Sequence, residues 1–521
     1  MHHQNLQPVA IQERIQTIDI IRGFALLGIL IVNMTVDNPG MRPMQGRNGF
    51  LDQLVYWPIE FFLNDKFMNI FCFLFGLGFA IQLTRAKENN SNFIFFYIRR
   101  LMVLFLFGAF IKIFITGRGV LTEYAMAGLL LLLLYKLPRK LLPVLAFLCI
   151  AYFWTKDTIW RQQQFPSAKN KITIDTTKLN SYAGVYEFAP GQVQIFIRKG
   201  ERLTGEGPVF HYRLIPLSDS EFRRVDANVR ISFLKDLVGN VNSISYNNDG
   251  RKNKLKKIKM DLQLALKEQL EKRKALKFET EKLSYKQFVT RNAKRFWGWV
   301  KNLTWKSFLL EFLSRILPVL LLGVYAGRRK VFSDISSNRT FFQRTMKWCL
   351  PIGMVSISLP LVFDAYNYFV SNPYEVYYRF MLWYRLCWDI GSIIMALGIV
   401  AWLTLLLEKP DLKEIGWKKR FSFFIPVGRM GLTNYILLLV IADLFIMGDY
   451  GFGLAGKIGP FLRLMIALPV FALIAFISRW WLKHFKNGPF EWLWRSLTYL
   501  KFQPIRLKEA DKSEIKETGN I

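Results

Sequence analysis

Histidine is nearly missing from this chain. Of 521 residues only four are histidine: His2 and His3 at the N-terminus, His211 near the middle and His484 near the end. None lies within an apolar run, so any mechanism that needs an imidazole base inside a membrane is excluded. Cysteine is as scarce. Cys72, Cys149, Cys349 and Cys387 each sit alone inside an apolar stretch, without the paired spacing of a disulfide framework or a zinc site. No nucleophile elbow, phosphate loop or paired-carboxylate motif occurs in a suitable context, and Gly117-Arg118-Gly119 is too short for a phosphate loop and reads as a turn. No metal and no permanently bound cofactor is therefore expected. Acidic residues are few, 38 against 71 lysines and arginines, for a formal charge of +33. Those bases stand in short runs between apolar stretches or in one central block, so the expected partner is a bilayer with anionic headgroups and not nucleic acid. No cleavable signal is expected either, because the apolar run after Arg22 leads into a polar loop with no small-residue cleavage site.

What the chain does have is grease: 52% hydrophobic residues, 16% aromatics and 15 tryptophans. Runs of roughly membrane-crossing length fall at 18–34, 62–83, 101–116, 119–135, 141–154, 307–325, 346–370, 380–406, 422–446 and 459–481. With a cytoplasmic N-terminus, the loops holding Arg99 and Arg100, Arg139 and Lys140, Arg328 to Lys330, and Lys418 to Arg420 all fall inside, as does the basic end of the chain. That regularity predicts ten spans with both termini in the cytoplasm. The expected fold class is an α-helical polytopic membrane protein with about ten transmembrane helices and an inserted small antiparallel β domain.

The insertion separates five spans in residues 1–155 from five in 307–482, with a basic cytoplasmic tail in 483–521. Residues 156–250 alternate in the β manner at 182–187, 192–198, 211–215, 229–235 and 241–247, with Gly191, Gly200 and Asn248-Asp249-Gly250 as turn signals. A small barrel or sandwich is expected there, and five preceding spans predict that it is extracytoplasmic. Residues 251–306 are rich in lysine and leucine and place Leu255, Ile258, Leu262 and Leu266 at helical spacing. They predict a basic amphipathic helix lying on anionic headgroups. His211, beside Tyr212 in a strand, reads as a surface or packing residue.

Polar residues at membrane depth carry the functional signal, since each costs free energy that leucine would not. They are Asp19, Arg22, Asn33, Glu60, Glu123, Asp364, Arg385, Asp389, Arg429, Asn434 and Asp443. Asp19 precedes Arg22 by three residues, and Asn33 falls within about 20° of Arg22 on the same helix face and about 16 Å beyond it. Arg385 and Asp389 are four apart and can neutralise each other. In the ninth span, Gly428-Arg429-Met430-Gly431-Leu432-Thr433-Asn434-Tyr435 joins close-approach glycines to a guanidinium and an amide. Arg429 can hold a phosphate or carboxylate bidentately, or it can serve as one half of a salt bridge to Asp19, Asp364 or Asp389.

These residues, with Arg14-Ile-x-x-Ile-Asp19-x-x-Arg22-Gly23, Phe71-Cys-Phe-Leu-Phe75-Gly76-Leu-Gly78, Arg99-Arg100, Tyr124-Ala125 and Gly488-Pro489-Phe490-Glu491-Trp492-Leu-Trp494-Arg495, resemble the YeiB-like family of bacterial multispanning membrane proteins. That family is similar to the transmembrane acyltransferases, and the likeness implies acyl transfer from cytoplasmic acyl-CoA to an acceptor across the membrane. Four positions depart from it. Where the family commonly has a histidine and an aspartate, this chain has Ile111 and Gly119, and the ninth-span motif continues with Leu438-Leu439 in place of Gln-Ser. The insertion resembles the small β domain appended to serine β-lactamase-like proteins, which implies export and an interaction surface. The resulting expectation is an acyltransferase-like protein of the bacterial cytoplasmic membrane acting on an envelope glycan or lipid. Its substrate-binding residues are Arg22, Asn33, Arg429 and Asn434, supported by Asp19, Arg385 and Asp389, with the catalytic residues unknown. A carrier or lipid-handling protein without covalent chemistry, or a silent scaffold, is the alternative; a homo-oligomer is compatible with any of these.

Overall fold

The structure, a computed structural model, describes residues 15–36, 49–88, 93–117, 119–164, 176–189, 192–200, 202–206, 211–224, 229–248, 251–278, 284–302, 316–369, 374–408, 417–446, 448, 451–454 and 457–507. The side chains of His211, Asp364 and Arg385, together with Arg118 and residues 303–315, lie outside that description. The chain forms two compact units, one from residues 1–156 and 283–521, the other from 157–282.

The first unit is a helical bundle. Its N-terminal part contributes α1 (Gln16–Thr35), α2 (Phe50–Phe62), α3 (Lys66–Glu88), α4 (Phe93–Phe110), α5 (Leu121–Leu134) and α6 (Leu141–Gln164), which runs on into the second unit. Six helical stretches among the described residues are long and apolar enough to cross a membrane: Gln16–Thr35, Phe50–Glu88, Phe93–Ile115, Arg339–Val362, Leu386–Leu407 and Pro460–His484. The other four expected spans fall on the shorter apolar helices Leu121–Leu134, Leu141–Tyr152, Leu317–Arg328 and Gly431–Ile446.

The second unit opens with α7 (Thr176–Tyr182) and continues as eight strands: β1 (Gly184–Ala189), β2 (Gln192–Lys199), β3 (Arg202–Glu206), β4 (His211–Pro216), β5 (Glu221–Arg224), β6 (Val229–Lys235), β7 (Val241–Asn248) and β8 (Arg251–Ile258). Each pairs antiparallel with the next, and β1 pairs with β8 through Val185 and Ile258, so the sheet closes into a barrel and leaves no edge. Alternation along β6 sends Val229, Ile231 and Phe233 inward. The interior is filled by aromatic rings, Phe233 lying 4.6 Å from Tyr182 and 5.4 Å from both Phe196 and Phe222 between centroids. It is a core, not a ligand cup. Phe233→Ala is expected to cost the barrel about 3–5 kcal/mol, measured by chemical unfolding of the full chain followed by a probe in the barrel. Outside, α8 (Leu262–Phe278) packs Ala265 against Val185 and Ile195, which is why β1 and β2 bury both faces.

Here the structure differs from the sequence reading. Residues 251–258, expected as the start of a basic helix, are β8: Leu255 points inward opposite Ile244 while its lysine neighbours face outward. With Leu255 the one buried side chain among those described in the strand, the three-residue step from Leu255 to Ile258 imitates a helix. The remaining basic segment divides between α8 on the barrel and α9 (Tyr285–Lys301) on the bundle.

The bundle resumes with α10 (Leu317–Arg328), α11 (Arg339–Phe369), α12 (Tyr374–Leu407), α13 (Trp417–Arg420), α14 (Phe424–Arg429), α15 (Gly431–Leu439), α16 (Pro460–His484) and α17 (Pro489–Tyr499). Small residues set its closest crossings. A Cβ on Gly428 would run into the carbonyl oxygen of Asp19, and one on Gly23 into that of Phe424, so α1 and α14 touch backbone to backbone. The ninth span, expected to be continuous, is interrupted at Met430, where φ −98° and ψ 35° end α14 and begin α15. Non-helical backbone at membrane depth survives only where it is buried in protein or borders a cavity, and this break does border one.

Candidate functional site

A cavity of about 750 Å³ lies inside the bundle, walled by α1, α3, α4, α5, α14, α15 and α17. One face of α3 lines it from Met68 through Phe71, Phe75, Gly78 and Gln82 to Glu88, the spacing of a single helical stripe. At 1.5 Å per residue that stripe is about 30 Å long, close to the hydrocarbon thickness of a bilayer.

Its two ends differ. Arg22, Arg85, Arg100, Arg429, Arg495 and Lys330 line one end, where α1 begins and α3 and α10 finish. Toward the other end the walls are Ile29, Met68, Leu104, Leu121 and Tyr124. Asp19, Glu88 and Glu491 also line the cavity, and two of these are engaged. Asp19 accepts from Arg22 Nη1 at 3.0 Å, and the buried Glu491 carboxylate accepts from Leu432 N (2.6 Å), Thr433 N (2.9 Å) and Thr433 Oγ1 (2.5 Å). Glu491 thereby caps α15 from a helix 58 residues away. Burial pushes its carboxyl above the usual carboxylate range, while the hydrogen bonds from Thr433 and Leu432 oppose that shift.

Arg100 is held from two directions by Trp494. The indole N–H donates to the Arg100 carbonyl at 3.0 Å, and the guanidinium lies over the ring, 3.9 Å from its centroid. Such a cation is positioned before any ligand arrives. In the same wall, Gln82 Oε1 is buried and accepts no hydrogen bond among the described residues, a cost that a donor group on a ligand, or a water, would remove.

The structure thus brings Asp19, Arg22 and Arg429 together and leaves the two asparagines out. Asn33 lies farther along α1 and is not part of the cavity wall. Asn434, 1% exposed, spends its amide on the Val427 carbonyl (2.9 Å) and on Ser478 Oγ (2.9 Å), closing the helix break instead of meeting a ligand. Asp389 is half-buried on α12 and does not line the cavity, and the Arg385 side chain, expected to pair with it, lies outside the described residues. Sequence reasoning assigned no part to Arg100, Gln82, Glu491 or Trp494. Three of these lie in motifs quoted above, and the tail helix that carries Glu491, Trp494 and Arg495 is part of the cavity wall.

Residues 326–501 match the family described as "Protein of unknown function (DUF418)". That stretch includes Arg429, Glu491 and Trp494. The chain is similar to the YeiB-like family. Its whole length is similar to the uncharacterised protein YxaH of Bacillus subtilis, 24% identical over 97% of this chain and 99% of that one. An uncharacterised 39.9 kDa protein of Bacillus acidopullulyticus is 39% identical over 26% of this chain and 38% of its own length, and YeiB of Escherichia coli is 34% identical over 19% and 29%. No solved structure matches the chain. In this chain Ile111 and Gly119 are neighbours: a Cβ on Gly119 would stand 3.3 Å from Ile111 Cγ2 and 3.9 Å from Tyr435 Oη. Beside them Lys112 Nζ and Glu123 Oε1 form an ion pair at 2.5 Å.

Proposed function

We propose that the protein holds a phosphate-bearing amphiphile inside the bundle, its phosphates on Arg22, Arg100 and Arg429 and one extended chain along the α3 face. The observation that carries this reading is the two-ended cavity, with guanidinium groups from five helices at one end and aromatic and aliphatic walls beyond. Guanidinium is the group suited to bidentate phosphate contact. In the acyl-transfer form of the reading the amphiphile is an acyl-CoA entering from the cytoplasm, and its acyl group passes to an envelope glycan or lipid. Support for that form is the resemblance to transmembrane acyltransferases and the cavity's run along nearly the whole of α3. A second form, lipid handling without covalent chemistry, is favoured by Ile111 and Gly119, which supply neither imidazole nor carboxylate at the two positions where the resemblance implies a histidine and an aspartate. Both forms place the protein in the bacterial cytoplasmic membrane with its termini inside and the barrel outside, supported by the basic loops between spans.

The test is binding of radiolabelled long-chain acyl-CoA and of phosphatidylglycerol to the purified protein in detergent. Arg22→Ala and Arg429→Ala are each expected to weaken binding about tenfold or more, from hydrogen bonds to a charged group worth ~1.5–3 kcal/mol. Asn33→Ala is expected to leave it unchanged. Label moving from bound acyl-CoA to an added acceptor selects the acyl-transfer form, and retention without transfer selects the other. Failure of both ligands to bind, or wild-type affinity in both arginine variants, overturns the proposal.

A further inference from the structure

We propose that the outward face of α9 is a binding surface for anionic phospholipid headgroups, separate from the cavity. Residues 285–301 contain no acidic side chain, and Lys286, Arg291, Lys294 and Arg295 are all exposed. Among the described residues no carboxylate pairs with any of these four. The same four, with Gln287 and Thr290, line a shallow groove. A solvated helix would ordinarily intersperse acids with such a row to relieve repulsion, and this one does not.

The helix is fixed in place. It opens on a capping box, Ser284 accepting from Gln287 N while the Gln287 side chain accepts from Ser284 N. Its inner face carries the buried Asn292 and Phe296. Tyr285 Oη donates to the Phe114 carbonyl at 2.9 Å and Asn292 Nδ2 to the Ile113 carbonyl at 3.4 Å, tying α9 to the last turn of the apolar stretch Phe93–Ile115. Gly117, at φ 71°, leaves room for the Asn292 amide. A helix bound to the end of a membrane-spanning stretch lies where that stretch leaves the hydrocarbon, at headgroup level. Trp297, 58% exposed on the same helix, is the residue type enriched at that level. The position selects lipid over a soluble acidic partner, and the charge selects anionic lipid over zwitterionic.

The experiment uses full-length protein with its native cysteines replaced, carrying Thr290→Cys bearing a fluorophore, in vesicles of phosphatidylcholine and phosphatidylglycerol. One or the other lipid carries a nitroxide near the top of its chain. At equal mole fraction, labelled phosphatidylglycerol is expected to quench more strongly than labelled phosphatidylcholine. The difference is expected to vanish in K286Q/R291Q/K294Q/R295Q and in about 1 M salt, where the screening length falls to about 3 Å. It should persist in R22A/R429A, which separates this surface from the cavity. Equal quenching by the two lipids, quenching by neither, or a preference that survives the fourfold glutamine substitution overturns the proposal.

Discussion

Gly428→Leu is expected to remove the protein from the folded membrane fraction. At that position the first added carbon meets the carbonyl oxygen of Asp19 and closes on the Gly23 nitrogen. An overpacked core ordinarily relaxes by turning a side chain, at a cost of about 1–3 kcal/mol. Here both colliding groups are helix backbone, and α1 cannot retreat without carrying Asp19 and Arg22 away from the cavity. The cost should therefore exceed that range. Loss of the monodisperse peak after detergent extraction, with the protein recovered as aggregate or degraded, is the expected readout. The control lies in α3. A Cβ on Gly78 meets nothing within 4 Å, so Gly78→Ala should keep or raise stability, by up to ~1 kcal/mol from helix propensity. Wild-type yield and thermal stability for Gly428→Leu would show that α1 and α14 do not cross as described.

That crossing also explains what the sequence could and could not disclose. Gly23 beside Arg22 and Gly428 beside Arg429 were visible as small residues next to cations, and the three-residue step from Asp19 to Arg22 already placed acid and base on one helix face. Hydrophobic runs located the spans, because apolar length is a local property. The bonds that close the cavity are not local. Nothing near Asn434 shows that Ser478 and the Val427 carbonyl will consume its amide, so an amide at membrane depth was read as a ligand group when it seals a helix break. Nor does the tail advertise that Trp494 will grip Arg100, 394 residues away. In the barrel, β8 was hidden for a different reason. A strand whose outer face is lysine and whose inner face buries mainly Leu255 gives too short an alternation to outweigh a chance three-residue step.

The second large effect is expected at Glu491, and three substitutions separate its possible roles. The carboxylate accepts two backbone N–H groups at the start of α15 and the Thr433 hydroxyl; Thr433 Oγ1 in turn accepts from Phe490 N at 3.1 Å. Glu491→Ala strands both N–H groups in a buried place, at about 1–3 kcal/mol each, and should lower the thermal midpoint of the purified protein steeply. Glutamine keeps one carbonyl oxygen for the N–H groups and can donate to Thr433, so it forfeits chiefly the charge at a helix N-terminus, about 0.3–2 kcal/mol. Aspartate keeps the charge but falls one methylene short and should rank between the two. Because α15 starts two residues after Arg429, the alanine variant is also expected to weaken amphiphile binding while glutamine largely preserves it. If glutamine proved as damaging as alanine for binding yet harmless for stability, the negative charge itself would be facing the ligand. Glu491 would then belong to the chemistry of the cavity and not to its frame.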